Sequence, residues 1–205
     1  VEIAKDELGR YLELEQILGI ETRFENPISH ISISFQQDIE EAAQTLRNHW
    51  GLGTGALSNV IELLEDHHVK VLEIEFTEEF DGFCTWVNSK NIPLIVLNKA
   101  KLKDVPDRKR FTALHELAHL LLEVNHHPEK EKEKFCHAFA TAMLIPADTL
   151  KNELGGKRSK LSFNELGAIK QQYGISMQAL VFRAKNVGLI SDNYFRQFYQ
   201  RTQDM

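Results

Sequence analysis

Cysteine is scarce. Cys84 and Cys136 are the only two in 205 residues, and they lie far apart. That excludes a disulfide-stapled scaffold, and neither has the close Cys or His spacing of a zinc knuckle. No apolar run approaches membrane-spanning length, and the N-terminus lacks a signal-peptide pattern. The expectation is a cytoplasmic protein with reduced thiols and no membrane partner. Internal repeats and low-complexity tracts are absent, which excludes a repeat array. Positive charge is in deficit: the net charge is −6, which argues against a molecule that wraps nucleic acid as a whole.

What is present reads as an ordinary globular chain, with 42% hydrophobic and 26% charged residues. Its length suits one sizeable core, or a core with a small appendage. From Lys151 onward nine basic residues face four acidic ones, a surplus of five that leaves residues 1–150 at −11. Solvated helix faces explain such a surplus as well as an acidic partner does. The chain starts at Val1 rather than Met, which is compatible with a fragment whose upstream domain is missing.

The most informative stretch is Phe111-Thr112-Ala113-Leu114-His115-Glu116-Leu117-Ala118-His119-Leu120-Leu121-Leu122. Nothing in it breaks a helix. Residues four apart share a helix face, so His115 and His119 point the same way and can share one metal ion. Glu116 is positioned to take a proton from water without being a ligand. Two histidines plus a glutamate base form the zinc-peptidase pattern. The alternative is an amphipathic core helix. Leu114, Leu117, Leu120 and Leu121 would bury that helix, where two imidazoles and a carboxylate with nothing to compensate them are costly.

Around this motif the periodicities predict an α+β architecture with a small antiparallel sheet and an active-site helix. Leu8, Tyr11, Leu12, Leu14 and Leu18 can form a helical face within residues 1–35, which read as an arm or linker. Ile39, Ala42, Ala43, Leu46 and Trp50 mark a helix over 36–50, and a second runs from about 56 to 66. Val69–Phe76, Phe83–Val87 and Ile92–Leu97 read as three consecutive strands of a meander. Asp81-Gly82 and 88–91 supply the turns, and Pro93 favours an edge position. A helix over 129–144 ends at Pro146, which opens a short helix before Leu154-Gly155-Gly156. Residues 161–187 form a helix-turn-helix-like unit, with Ser162 and Ser176 as caps and Tyr173-Gly174 in the turn. The expected segments are 1–35 (arm), 36–154 (metallopeptidase domain) and 155–205 (helical subdomain).

A catalytic zinc takes three protein ligands. Glu123, His126, His127, Glu129, Glu131, Glu133 and His137 are the downstream candidates for the third. An antiparallel return would carry Glu133, with His137 one turn on, back opposite the His pair. At this point the chain resembles the ImmA/IrrE-type metallopeptidases. The resemblance rests on Arg110–Leu122, on Glu133-Lys134-Phe135-Cys136-His137-Ala138-Phe139-Ala140 and on Met143-Leu144-Ile145-Pro146. It extends to Trp50-Gly51-Leu52-Gly53, Pro93–Asn98 and Tyr173-Gly174-Ile175-Ser176, over roughly residues 36–190.

The resemblance implies a zincin-like fold. His115, His119 and Glu133 would be metal ligands and Glu116 the catalytic base. The family has Asn where this chain has His137. The imidazole there is expected to orient Glu133 or donate to an oxyanion, ahead of binding the metal. Zinc is the expected ion, and the donor set also admits manganese or iron. The resemblance further implies an anti-repressor protease that cuts a DNA-binding helix-turn-helix repressor. Many relatives carry their own N-terminal helix-turn-helix. The strand Ile92–Leu97 is expected to be the edge that accepts an extended substrate.

Two rivals stand beside this reading. One is a regulator or antitoxin that does not cut, whose metal is structural and closed by His137 as a fourth ligand. The other is a DNA reader using Arg183 and Lys185. Met177, Leu180, Val181 and Phe182 on the same helix argue instead for a packed face and weak DNA binding at most.

Overall fold

A computed structural model describes residues 2–20, 23–77, 79–87 and 92–203. It contains α1 (Glu2–Leu18), α2 (Gln36–His49), α3 (Val60–Asp66), β1 (Lys70–Ile74), β2 (Gly82–Val87), β3 (Ile92–Asn98), α4 (Lys99–Leu102), α5 (Pro106–Leu121), α6 (Glu129–Leu144), α7 (Ala147–Leu154), α8 (Phe163–Tyr173), α9 (Met177–Asn186) and α10 (Asp192–Gln203). The chain is α+β, as expected. It divides into two compact units, Val1–Asn26 with Asn59–Leu121, and Pro27–Ser58 with Leu122–Met205. These units divide the chain by packing, whereas the expected segments 1–35, 36–154 and 155–205 divide it by role.

The first unit holds the sheet, which corrects the expected antiparallel meander. Strand order is β1-β3-β2, with β3 parallel to β1 and antiparallel to β2. Consecutive strands usually pair, which favoured the meander. The contrary signal lay in β3 itself. Ile92-Pro93-Leu94-Ile95-Val96-Leu97 does not alternate, and all of β3 is buried, as a central strand is. Strand β3 is therefore not the edge expected to accept a substrate; β1 and β2 are the terminal strands. Pro93 is tolerated because pairing with β1 starts only at Leu94. The expected turn at 88–91 lies outside the described residues.

Strand β1 is shorter than the expected 69–76, and only Glu73 within it is exposed, so its alternation is blurred. Helix α1 covers one face of the sheet: Ala4 and Leu8 pack with Leu72, Ile74, Leu94 and Val96. Tyr11 and Leu12 join this cluster, whereas Leu14 and Leu18 are exposed. Helix α1 is thus a packed layer at its start rather than a free arm. Lys70 fastens it further, buried in an ion pair with Glu15 and lying over the Tyr11 ring.

Helix α5 covers the other face. A Cβ on Gly82 would meet Thr112 Cγ2 and the Val96 carbonyl oxygen at 3.0 Å, and Leu97 Cδ2 at 3.2 Å. Only glycine lets β2 and α5 approach this closely. Helix α3 starts at Val60 rather than near 56, because the Asn59 side chain accepts from the amides of Ile61 and Glu62.

The second unit is helical. Helix α2 buries Ile39, Ala42, Ala43 and Leu46, and α6 buries Phe135, Cys136 and Phe139. Arg47, fully buried, donates to the carbonyls of Gly53, Gly55 and Met143. Helix α6 keeps its expected bounds, and α7 ends at Gly155 in the left-handed region at φ 68°. Ser162 caps α8 in a capping box with Glu165, Gly174 closes the helix, and Ser176 caps α9. Tyr194 of α10 donates to the Leu161 carbonyl and accepts from the Leu161 amide, both at 3.0 Å.

Candidate metal centre

In the first unit, α5 begins with Pro106, whose missing amide hydrogen costs nothing in the first turn. Ala113, Leu114, Leu117, Ala118 and Leu121 are all essentially inaccessible to solvent. Each leucine buried this way contributes about 1.5–3 kcal/mol. That burial anchors the helix and leaves His115 and His119 side by side along its half-exposed flank. Their Nε2 atoms are 3.2 Å apart, and the ring planes cross at 82°. Glu116 follows His115 and is 9% exposed. One turn before His115, the Phe111 ring stacks on its imidazole at 6.0 Å with 22° between the planes.

The 3.2 Å separation tests whether a metal ion fits. Two nitrogens bound at 2.0–2.1 Å to one tetrahedral ion stand about 3.3 Å apart. The two histidines therefore already present one edge of such a tetrahedron. A hydrogen bond between the rings would instead need one nitrogen to carry its proton and the other not.

In the second unit, Glu133 and His137 lie one turn apart on α6, with donor atoms within 4.8 Å of each other. Glu133 is half-buried and His137 is exposed, its ring 6.4 Å from that of Phe182. The other candidates for a third ligand are placed differently. Both ring nitrogens of His127 are engaged, Nε2 with the Ile33 carbonyl at 2.8 Å and Nδ1 with Glu131 at 3.2 Å. Glu129 pairs with Lys132. His126 and Glu123 are exposed, and the His126 ring lies 4.1 Å from that of His127.

The residues considered for DNA contact are also placed. Arg183 is fully buried, with its guanidinium forked onto the Glu40 carboxylate and Nε donating to the Ile145 carbonyl at 3.1 Å. Lys185 stands 3.7 Å from Asp192. Two roles were not singled out from the sequence. Arg47 gives no periodic signal that separates it from a surface arginine. Phe111 is separable only by its place one turn before His115.

Residues 64–185 match the peptidase M78 family, described as the IrrE N-terminal-like domain. The match takes in more than half of the chain, so the chain belongs to this family. It thereby carries a metallopeptidase-type domain, whose substrate is protein. No curated protein gave a match. Among the described residues, no helix is long and apolar enough to cross a membrane.

Proposed function

We propose that this chain is a metal-dependent endopeptidase of zincin-like architecture, in which His115, His119 and Glu133 hold the ion and Glu116 is the general base. The observation that carries the reading is the 3.2 Å spacing of the two Nε2 atoms, with Glu116 the next residue on the same helix. Support for Glu133 comes from the family match over 64–185, which includes both α5 and α6. The elimination of His127, Glu129 and Glu131 by their other partners points the same way. Zinc suits the donor set, with manganese or iron as substitutes.

When bound, the ion supplies Lewis acidity that polarises the scissile carbonyl and acidifies water. Glu116 takes the proton of the attacking water and delivers it to the leaving amine. Its low exposure favours both transfers by keeping bulk water from competing. His137 orients the Glu133 carboxylate or donates to the oxyanion. Strand β2 is terminal and packs against α5, so it is the strand to which an extended substrate adds. The resemblance to anti-repressor proteases supports a helix-turn-helix repressor as substrate, cut in the cytoplasm to release stress or mobile-element genes. The α8–α9 pair serves as a packed hairpin, because its Arg183 is spent inside the fold.

The rival is a regulator with a closed structural metal, and one observation favours it. His137 stands one turn from Glu133 and can add a fourth donor. Elemental analysis and cleavage assays on three proteins separate the two. The parent binds one metal per chain. Glu133→Gln loses it, and Glu116→Gln keeps it but loses cleavage by about 10²–10⁴-fold. Metal retained by Glu133→Gln removes Glu133 from the ligand set. Parent-rate cleavage by Glu116→Gln removes it as the base.

A further inference from the structure

On the face of the sheet covered by α1 lies a cavity of about 470 Å3. Ala4 and Leu8 of α1, Phe83, Thr85 and Val87 of β2, and Leu94 of β3 supply most of its wall. Phe83, Thr85 and Val87 pair with Val96, Leu94 and Ile92, so they form one row of alternate residues on one face. The neighbouring cluster is closed where β1 and β3 meet α1: Leu72, Ile74, Leu94 and Val96 are all buried. Along β2 it stays open. Phe83 and Val87 are only half-buried, and Thr85 is exposed.

A segment that adds to the outer side of β2 must place every second side chain on this same face. Those side chains follow one another about 6.6–6.8 Å apart, in line with the Phe83–Thr85–Val87 row. An apolar cavity of roughly 150 Å3 already takes a benzene-sized group, so this one has room for two large side chains. We propose that the cavity is the specificity pocket of the peptidase. It receives two apolar side chains, two residues apart, from the extended segment to be cut. This rests on the reading above that substrate adds to β2. The aliphatic and aromatic lining selects Leu, Met or Phe at both positions. Lys5, also on the lining, selects against Lys and Arg there.

The experiment uses the metal-loaded full chain and its Glu116→Gln form, each exposed to a degenerate decapeptide mixture. Cleaved peptides from the first and retained peptides from the second are sequenced by mass spectrometry. Expected is an enrichment of Leu, Met and Phe at two positions two residues apart, with Lys and Arg depleted. Thr85→Trp fills the pocket from the strand and Lys5→Trp from the helix. Each lowers that enrichment by at least about tenfold, the discrimination an apolar pocket gives. Both side chains are exposed, and circular dichroism verifies that each variant folds; either one that folds is sufficient. Cleavage without the two-residue spacing, or enrichment that survives in both variants, overturns the pocket and leaves the peptidase reading standing. Retention of the patterned peptides without cleavage, lost in the filled variants, upholds the pocket and overturns the peptidase reading. Neither cleavage nor retention overturns both.

Discussion

In the second unit a fully buried arginine, Arg183, meets the Glu40 carboxylate and the Ile145 carbonyl, so its charge is satisfied within the unit. In the first unit His115 and His119 turn two ring nitrogens toward each other at 3.2 Å, on a helix whose other side is packed leucine. Both arrangements place costly polar groups beside an apolar core. One is closed by partners of opposite character. The other brings together two like groups, at the spacing that two ligands of one cation would have. Burial of a polar side chain therefore does not by itself mark a functional site. What distinguishes the two regions is whether the neighbours are complementary or alike.

Substitutions can break that comparison. The largest expected effects run in opposite directions. Glu116→Gln removes activity and leaves stability within about 1 kcal/mol, because the side-chain shape is kept. Arg183→Met leaves the Glu40 carboxylate without its guanidinium and the Ile145 carbonyl without its donor. Breaking a buried pair costs about 3–5 kcal/mol, and Glu40 is partly exposed, so the lower end is expected. Urea denaturation of Arg183→Met measures it. An unchanged midpoint would free Arg183 for another role, DNA contact included. A lowered midpoint with no change in salt-dependent DNA retention fixes it as structural.

The parts of the fold that were legible in the sequence are those governed by local signals. The capping box of Ser162 and Glu165, Pro146 and the period of the α6 apolar residues set helix bounds within a few residues of those observed. The side-by-side placement of His115 and His119 follows from helix geometry alone. Sheet order was not legible, since it depends on which strand inserts between two others. The apolar run Ile92–Leu97 was the one hint, outweighed by Pro93 and by the short spacing between strands. Helix α10 was not separated from the rest of the expected helical segment, although Tyr194, Phe195, Phe198 and Tyr199 recur at helical spacing. The pocket beside β2 was invisible for a related reason: it needs the position of β2 at the end of the sheet and the cover of α1 together.

A smaller effect tests the same contrast through pH. Tyr173 in the second unit donates to Glu153 Oε1 at 2.8 Å. Burial first, and then the Glu153 carboxylate, push its hydroxyl up to about 12. An unfolded tyrosine ionises near pH 10. Below that, folded and unfolded chains both keep the proton and the stabilisation is fully present. As pH rises from about 10 to 12 the unfolded chain ionises first, and that stabilisation is progressively lost. Tyr173→Phe cannot ionise, so its stability should fall less across that window. In the first unit burial likewise raises Tyr11, aided by Glu65 and Glu15. Alkaline loss identical in Tyr173→Phe and the parent would assign the window to Tyr11 or to Tyr199, which burial also raises.

The smallest expected effect comes from the cap of α8. The Ser162 hydroxyl accepts from the Glu165 amide at 3.2 Å, and the Glu165 carboxylate accepts from both the Ser162 amide and hydroxyl. The amide bond to Ser162 is the first cause that holds the Glu165 carboxyl below its ordinary range, and Arg158 adds to it. Ser162→Ala removes the hydroxyl and leaves the Glu165 amide, one of the orphan donors of the first turn, to water. Helix caps of this kind contribute about 1 kcal/mol. Ser162→Ala should therefore lower the urea midpoint by about a third of what Arg183→Met does. Metal content and cleavage should not change, because none of His115, Glu116, His119 and Glu133 lies on α8. A fall in metal content as large as that in Glu133→Gln would mean that a local loosening of the helical unit reaches the metal. The contrast between the Arg183–Glu40 pair and the His115–His119 pair would then fail. Equal metal content at a lowered midpoint keeps the two properties separate, as the chemistry of their buried groups requires.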